Sequence, residues 1–317
     1  MPTTNDIISP IEKEFAVFKS LYADELQGMA KPLLGMLDGQ KHGKMLRPVL
    51  VLLSAAACGD VVDDTYRTAI AVELLHTATL FHDDVVDGAT TRRDSVSLNA
   101  QWGNKSAVLV GDYVLAQAVT LLATNKNHEI VLDVLEATRN MGNGELLQML
   151  NTAHMDDGED SYLEVIKNKT ASLLSACCTT GAKSSGAKPW QVDALARYGL
   201  YLGMAFQMRD DMLDYGTADI GKPLCGDLNE GKFTLPLIAH LRTLSNDERK
   251  TVVEDIGNRR NLEAIASEVR NGKGMEYTEN AIRHYTDLAV GQLDQFDDDE
   301  KRVALEHLAR FCGLRKK

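Results

Sequence analysis

The sequence predicts an all-α fold, and three observations lead to that prediction. Only seven prolines occur in 317 residues, and residues of high helix propensity are abundant along the chain. Apolar side chains recur at three- and four-residue steps, while the two-residue alternation of a half-buried strand is almost absent. With 44% hydrophobic residues the chain can bury a sizeable core, and no break resembles an interdomain linker. We therefore expect a single helical domain over residues 1–317.

Nine segments have the periodicity of amphipathic helices. The segment 68–86 is the clearest, because Ile70, Leu74, Phe81 and Val85 recur at helical spacing. The predicted helices cover residues 68–86, 109–122, 130–150, 161–178, 190–215, 235–243, 247–256, 261–270 and 277–296. Turn-rich breaks lie at residues 88–104, 156–160, 182–189 and 216–232.

Charge and composition exclude several classes of function. The chain has 46 acidic and 34 basic side chains, a net charge of −12, and no run of five Lys or Arg. We therefore expect no nucleic-acid partner. The longest uncharged stretches, such as residues 113–125, are shorter than the roughly 20 apolar residues of a spanning helix, so no transmembrane segment is expected. Residues 1–15 do not resemble a signal peptide, and the five cysteines lack zinc-site spacing, which favours the cytoplasm.

Two acidic motifs with the spacing Asp-Asp-x-x-Asp are the main functional signal. On a helix, residues four apart project from one face, so the outer carboxylates of each motif point together and the middle one is rotated aside. We call the two motifs the first and second acidic clusters. The first consists of Asp83, Asp84 and Asp87, and the second of Asp210, Asp211 and Asp214.

Carboxylates placed so close together repel one another, and the clusters therefore predict a bound cation. At ~4 Å and an effective dielectric of ~20 the repulsion is ~4 kcal/mol. Oxygen ligands suit Mg²⁺, Mn²⁺ or Ca²⁺, and Mg²⁺ usually completes its octahedron with waters and substrate phosphate oxygens. A solvated acidic helix face is the alternative, but each cluster ends an apolar stretch where such a face is not expected. A phosphorylated substrate follows from the metal hypothesis.

Basic side chains near the clusters could neutralise such phosphates. Arg92 and Arg93 follow the first cluster in a turn. His76, about two helical turns before Asp83, fits either a satisfied core histidine or a phosphate donor. Further candidates lie in or near Gly-Lys and turn sequences, and they are Lys44, Arg47, Lys222 and Lys232.

Together with the residues around them, these motifs resemble the trans-isoprenyl diphosphate synthases, or polyprenyl synthetases. The similar segments follow the family's order and span about residues 43–236. They are residues 73–87, Arg92 with Arg93, 99–105, 110–113, 144–148, Lys169 with Thr170, 206–214 and 221–236. The resemblance implies an all-α bundle around a deep central cavity, the isoprenoid synthase type I fold, usually as a homodimer. The two acidic clusters would face each other across the cavity mouth.

The resemblance also implies roles for individual residues. Direct Mg²⁺ ligands would be Asp83, Asp87 and Asp210, while Asp84, Asp211 and Asp214 would bind through water or orient the site. The allylic diphosphate would be held by Arg92, Lys169 and Lys222, and isopentenyl diphosphate by Lys44, Arg47, His76 and Arg93. Thr170 and Gln207 would line the developing cation, and Lys232 is a further substrate-binding candidate.

In such a synthase, each reaction cycle lengthens the product by five carbons. Diphosphate leaves the allylic carbon, the double bond of isopentenyl diphosphate attacks the remaining cation, and a proton is lost. Ala78 and Thr79 are small where members with short products commonly carry a bulky aromatic residue, so the chain resembles long-chain synthases for quinone side chains. Another layer, such as Tyr113 or residues 119–122, could instead close the tunnel at a farnesyl or geranylgeranyl length. A very apolar product also suggests peripheral membrane contact.

Three other functions fit these motifs less well. A class I terpene cyclase usually has a different second motif, and a phosphohydrolase of the HD type would need metal-binding histidines beyond His82. A non-catalytic subunit should have lost carboxylates, whereas all six are present. The chain departs from the family at His42, where Gly is usual, and at Asp94 and Val96, where Gly and Pro are frequent.

Overall fold

Helices form nearly all of the regular structure, and the computed structural model describes residues 3–37, 43–92, 95–216 and 225–314. The chain is 80% helical, which confirms the predicted fold class. The helices are α1 Thr4–Ile8, α2 Glu12–Gln27, α3 Lys31–Leu37, α4 Leu46–Ala56, α5 Asp63–Val86, α6 Leu98–Trp102, α7 Asn104–Ala123, α8 His128–His154, α9 Glu159–Ile166, α10 Ser172–Ser184, α11 Pro189–Asp214, α12 Gly226–Asn229, α13 Leu235–Leu241, α14 Asn246–Gly257, α15 Leu262–Asn271, α16 Lys273–Gly291 and α17 Glu300–Leu314. A 3₁₀ turn covers Ser9–Ile11, and a π-helical turn covers Lys167–Ala171.

The strands in the described residues are two short antiparallel segments, β1 Thr91–Arg92 and β2 Ser95–Val96. Thr91 lies opposite Val96, and Arg92 lies opposite Ser95. They occupy the predicted break at 88–104, which also contains α6. We call the segment with β1 and β2 the arm. It follows the first acidic cluster directly and determines where Arg92 lies.

Each predicted helix has a counterpart, with three differences worth noting. The segment 161–178 is divided into α9, the π turn and α10. The last predicted helix ends at Gly291 and not at residue 296. Periodicity also missed α1–α4, α17 and the short helices α6 and α12. In the case of α4 the reason is burial, because residues 48–55 are buried on every side and leave no polar face to reveal a period.

Two hydrophobic clusters form the core, and α11 contributes to both of them. The first contains Leu50, Leu74 and, from α11, Leu195 and Leu202. The second contains Met208 from the last turns of α11, together with residues of α13, α15 and α16. The second acidic cluster therefore ends a helix that is anchored in two cores.

The π turn is packed against two helices through glycines that leave no room for a side chain. A Cβ at Gly144 of α8 would lie 2.4 Å from the backbone nitrogen of Lys169. A Cβ at Gly203 of α11 would lie 2.4 Å from Cα of Ala171. π turns inside helices are frequent at functional sites. Here the turn carries Lys169 and Thr170, and the two glycine contacts fix its position.

Among the described residues, α7 is the helix that is long and apolar enough to cross a membrane by composition. A third of the residues in its apolar stretch are buried within the protein. It packs along α5, where His82 Nε2 lies 3.3 Å from Asp112 Oδ1. Packed helices of soluble proteins meet the same compositional test, so the expected absence of a spanning segment stays a prediction.

Candidate active site

The first acidic cluster closes α5, and its middle carboxylate is turned inward. Asp84 is 2% exposed, and Arg92 Nε donates to its Oδ1 at 2.6 Å. The side-chain amide of Asn99 donates to the backbone oxygen of Asp84 at 3.0 Å. Asp87 caps the helix and is exposed. The arm after the cluster is thus tied to Asp84, whereas Asp83 lies near Glu145 and Lys169.

Asp83 is in an unfavourable environment for a negative charge. Burial raises its pKa to about 6, and the Glu145 carboxylate adds to the effect, while Lys169 opposes it. Asp87 raises the pKa further. A nearby cation would relieve this repulsion.

The second acidic cluster closes α11, and its middle carboxylate is also turned inward. Asp211 is 4% exposed. The Tyr162 hydroxyl donates to Asp211 Oδ2 at 2.6 Å, and Gln207 Nε2 donates to Oδ1 at 2.8 Å. The Thr170 hydroxyl donates in turn to Gln207 Oε1 at 2.7 Å. Burial, followed by the charge of Asp227, raises the pKa of Asp211 to about 8.

Asp214 binds the backbone at residues 225–227, where the described chain resumes after α11. Its Oδ1 accepts from the Gly226 amide at 3.2 Å, and its Oδ2 accepts from the Asp227 amide at 3.1 Å. Its backbone oxygen accepts from the Cys225 amide at 3.1 Å. Asp214 therefore caps α12 and places Asp227 beside the second cluster.

Two lysines connect the surrounding elements. Lys169 on the π turn forms an ion pair with Glu145 and donates to Gln148 Oε1 at 2.7 Å. The Lys232 ammonium lies 2.5 Å from Glu230 and 3.9 Å from Asp87 Oδ1. Burial works to lower the pKa of Lys232, but the neighbouring carboxylates outweigh it and raise the pKa, so the ammonium stays charged.

A pocket lies beside the second acidic cluster and the two lysines. Its polar lining includes Tyr162, Lys169, Gln207, Asp211, Asp227 and Lys232. The sequence prediction had named four of them, Lys169, Gln207, Asp211 and Lys232. It missed Tyr162 and Asp227, as well as Glu145 and Gln148, which contact Lys169. Glu145, Gln148 and Asp227 lie inside segments that resemble the family, so their motifs were a usable signal, whereas Tyr162 stood within a predicted helix with no distinguishing pattern.

Comparison with known families decides what kind of protein carries this pocket. A sequence profile described as Polyprenyl synthetase matches residues 34–272. The chain belongs to this family. The predicted resemblance is confirmed, and membership makes the protein a prenyltransferase and excludes the phosphohydrolase alternative.

Relatives of this polyprenyl synthetase match along most of their length. The chain is 35% identical to an all-trans-nonaprenyl-diphosphate synthase (geranyl-diphosphate specific) of Rhodobacter capsulatus, over 97% of this chain and 96% of the relative. It is 34% identical to the octaprenyl diphosphate synthase of Escherichia coli, over 86% of each chain. A polyprenyl synthase from Caulobacter crescentus, solved in complex with calcium and isoprenyl diphosphate, has a TM-score of 0.93 at 33% identity, over 99% of this chain and 98% of that one.

Among the described residues of this polyprenyl synthetase, several predicted site residues are not part of the pocket lining. The Lys44 ammonium lies 5.6 Å from the ring centroid of Phe311. Arg47 and His76 are half-buried on α4 and α5, and Ala78 is fully buried. Thr79 Oγ1 donates to the His76 backbone oxygen at 2.8 Å. Arg93 and Lys222 lie outside the described residues, so their predicted roles stay predictions.

A metal ion would need ligands beyond the protein. Within the described ranges, no group of three His, Cys, Asp or Glu side chains is arranged to hold one. The donors nevertheless fit Mg²⁺ in kind, because Asp83 and Asp87 offer oxygen ligands and repel one another without a cation. Mg²⁺ commonly uses only one or two carboxylates, with water and phosphate oxygens supplying the rest.

Proposed function

We propose that this protein is a Mg²⁺-dependent trans-polyprenyl diphosphate synthase that condenses isopentenyl diphosphate with an allylic diphosphate, giving a long-chain product for a quinone side chain. The observation that carries the proposal is the pocket in which Lys169 and Lys232 lie with Asp211, while Lys232 also reaches Asp87. The pocket is thus lined by two cations and a carboxylate of the second cluster, and Lys232 links it to the first cluster. The nonaprenyl and octaprenyl relatives support the long chain length.

Mg²⁺ would be held by Asp83, Asp87 and Asp210, with Asp84, Asp211 and Asp214 orienting the site. When bound there, it would supply positive charge to offset the negative charge that develops on the departing diphosphate. The inward hydrogen bonds of Asp84 and Asp211 support this division of roles, because they occupy oxygens that a metal ligand would need. The calcium in the Caulobacter relative supports a divalent cation in this family.

The basic side chains would bind the two diphosphates. Arg92, Lys169 and Lys222 would hold the allylic diphosphate, while Lys44, Arg47, His76 and Arg93 would hold isopentenyl diphosphate. Lys232 would add positive charge between the acidic clusters. Lys169 is paired with Glu145 and Gln148. Binding a diphosphate would therefore exchange a protein carboxylate for a phosphate as the partner of Lys169.

The reaction would use no protein nucleophile. As the allylic C–O bond breaks, the diphosphate leaves with the electron pair, and Lys169 and Arg92 stabilise its charge. Thr170 and Gln207 would lie beside the carbon that becomes positive. The double bond of isopentenyl diphosphate then forms the new C–C bond, and the proton that is lost passes to the diphosphate. The buried side chains around the π turn would exclude water, which would otherwise quench the cation.

Small side chains on α5 would leave space for a growing product. Ala78 is fully buried, and the Thr79 hydroxyl is occupied by the His76 backbone oxygen. A threonine that bonds back to its own helix presents its methyl group to its surroundings. Both residues would therefore offer a small apolar wall to the prenyl chain.

A homodimer would cover apolar side chains that α7 and α8 expose. On α7, Leu109 is 58% exposed, and on α8, Leu146 and Met149 are 61% and 59% exposed. Residues 132, 135, 146, 149 and 150 of α8 are large, apolar and exposed at helical spacing. Stripes of this kind usually mark an interaction surface, and we assign them to a second copy of the chain.

Two wider features complete the proposal. We place the enzyme in the cytoplasm, with peripheral membrane contact at most when the apolar product is handed over. We also treat residues 1–317 as one domain, which is supported by the contribution of α11 to both hydrophobic cores.

The proposed chemistry is tested by incorporation of radiolabelled isopentenyl diphosphate into farnesyl diphosphate with Mg²⁺, and with EDTA as a control. Asp210→Asn is expected to lower turnover at least 100-fold because it removes a proposed ligand. Asp294→Asn, at an exposed aspartate near the end of α16, is the matched charge change and should retain activity. Incorporation that persists in EDTA, or in Asp210→Asn, would contradict the metal assignment.

A further inference from the structure

A chain of hydrogen bonds connects the second acidic cluster with the π turn. The Thr170 hydroxyl donates to Gln207 Oε1, and Gln207 Nε2 donates to Asp211 Oδ1, at 2.7 Å and 2.8 Å. The Tyr162 hydroxyl donates to the other oxygen of Asp211 at 2.6 Å. Three elements, α9, the π turn and α11, are thereby joined through side chains that lie at or beside the pocket.

The direction of every bond in this chain follows from Asp211. Both of its oxygens accept, Oδ2 from the Tyr162 hydroxyl and Oδ1 from Gln207 Nε2, so the carbonyl oxygen of the Gln207 amide faces Thr170. Thr170 then has to donate its single hydroxyl proton to that carbonyl, which leaves only lone pairs on the remaining sides of the oxygen.

This direction matters for the cation of the proposed reaction. A hydroxyl lone pair stabilises a developing positive charge, whereas a hydroxyl proton repels it. If the Gln207 amide were reversed, its NH₂ group would meet Thr170, and the Thr170 proton would point elsewhere. The orientation of one amide thus decides the sign of the dipole that Thr170 presents.

We infer that Tyr162 is a positioning residue that holds Asp211 and Gln207 so that Thr170 presents lone pairs to the reacting carbon. The inference rests on the proposed function, in which Thr170 lies beside that carbon. Tyr162 is 6% exposed and Asp211 is 4% exposed, so water does not readily replace a lost hydroxyl donor. Without that hydroxyl, nothing from α9 holds Oδ2, so the carboxylate can rotate and no longer fixes the direction in which the Gln207 amide is held.

The buried middle carboxylates of the two acidic clusters accept hydrogen bonds from different kinds of donor. The middle carboxylate of the first cluster, Asp84, accepts from the Arg92 guanidinium at 2.6 Å. The middle carboxylate of the second cluster accepts from the uncharged Tyr162 and Gln207. An uncharged donor adds no positive charge beside the reacting carbon, which suits a site that must stabilise a cation.

Tyr162→Phe tests the inference, with Tyr198→Phe as the matched control. Tyr198 is fully buried on α11, and its hydroxyl donates to the Leu305 backbone oxygen at 2.8 Å. Each variant therefore deletes one buried hydroxyl and keeps the ring. We expect Tyr162→Phe to lower the rapid-quench single-turnover rate at least tenfold, with KM for both diphosphates within threefold. Tyr198→Phe should keep both quantities within twofold of the wild type.

A double-mutant cycle with Thr170→Val separates positioning from general damage. If Tyr162 acts through Thr170, Tyr162→Phe should lower the rate less than twofold when Thr170 is already valine. A single-turnover rate near wild type in Tyr162→Phe, or its full effect in the Thr170→Val background, would overturn the inference alone. Absence of turnover by the wild-type chain with any allylic primer would overturn the proposed function and this inference with it.

Discussion

The Lys232 ammonium lies 3.9 Å from Asp87 Oδ1, so a cation that follows the second acidic cluster in the chain reaches the last carboxylate of the first cluster. Glu230, at 2.5 Å, holds the same ammonium. Because Lys232 also lines the pocket with Asp211, this contact relates the two clusters through one side chain. The neighbouring carboxylates raise the pKa of Lys232 against the effect of burial, so the bridge is charged throughout the neutral range.

Lys232→Met should therefore weaken the active site. The substitution keeps the apolar stem and removes the charge that offsets Asp87 and the substrate phosphates. We expect kcat/KM for the allylic diphosphate to fall at least tenfold in steady-state assays. Lys301→Met is the control, because Lys301 is 37% exposed and pairs with Asp299 at 3.8 Å on α17. Equal activities of the two variants would show that the bridge is unimportant.

Asp83→Asn should stabilise the metal-free protein near neutral pH. The pKa of Asp83 is raised from 3.8 to about 6, so the folded state binds its proton more tightly than the unfolded state does. The ionised carboxylate therefore destabilises the fold above pH ~6, by about 1–3 kcal/mol, and this penalty disappears as the pH falls toward 4.

Thermal unfolding after EDTA treatment measures this effect. The melting temperature of Asp83→Asn should exceed that of the wild type at pH 7.5, and the difference should close between pH 6 and pH 4. Added Mg²⁺ should raise the melting temperature of the wild type more than that of the variant, because the carboxylate is the proposed ligand. A wild type that Mg²⁺ does not stabilise would argue against Asp83 as a ligand.

Gly144→Ala should disturb the π turn, whereas Gly142→Ala on the same helix should not. A Cβ at Gly144 would lie 2.4 Å from the Lys169 backbone nitrogen, while a Cβ at Gly142 meets no atom within 4 Å. We expect Gly144→Ala to destabilise by about 1–3 kcal/mol through overpacking and to raise KM for the allylic diphosphate. Gly142→Ala should gain up to about 1 kcal/mol from helix propensity.

Chemical denaturation and steady-state kinetics of both glycine variants measure this contrast. Because the two substitutions share a helix and a chemical change, their difference reports the contact with Lys169. Similar stability of both variants would show that the π turn can shift without penalty.

Leu146→Glu should weaken the proposed dimer. Leu146 is 61% exposed on α8. In the proposed dimer the glutamate carboxylate would be buried among apolar side chains without a cationic partner. Sedimentation velocity at micromolar concentration should give a dimer for the wild type and mostly monomer for the variant. Val303→Glu, at a site 38% exposed on α17, is the control and should stay dimeric. A monomeric wild type would refute the assignment of this surface.

Much of the fold follows from local patterns in the sequence. In the helices that carry the acidic clusters, α5 and α11, apolar side chains recur at three- and four-residue steps, and this periodicity predicts both helices and their ends near the clusters. The Asp-Asp-x-x-Asp spacing also predicts that the outer carboxylates of each cluster share one helix face. These features depend on residues a few positions apart, which a sequence displays directly.

Other features depend on contacts between distant residues and could not be predicted in the same way. The π turn forms where Gly144 and Gly203 allow α8 and α11 to approach, and no local pattern marks a π turn. Tyr162 lies 49 positions from Asp211 in the sequence, so its hydrogen bond becomes visible only in the fold. The inward orientation of Asp84 likewise depends on the arm that brings Arg92 back to α5.

Product analysis tests the central claim most directly. The purified protein would be incubated with radiolabelled isopentenyl diphosphate, farnesyl diphosphate and Mg²⁺, and the dephosphorylated products would be sized by chromatography. A long-chain synthase should give a Mg²⁺-dependent ladder that rises in five-carbon steps and ends well beyond twenty carbons. Products that stop at fifteen or twenty carbons with every primer would contradict the long-chain assignment, and a lack of incorporation would contradict the chemistry itself.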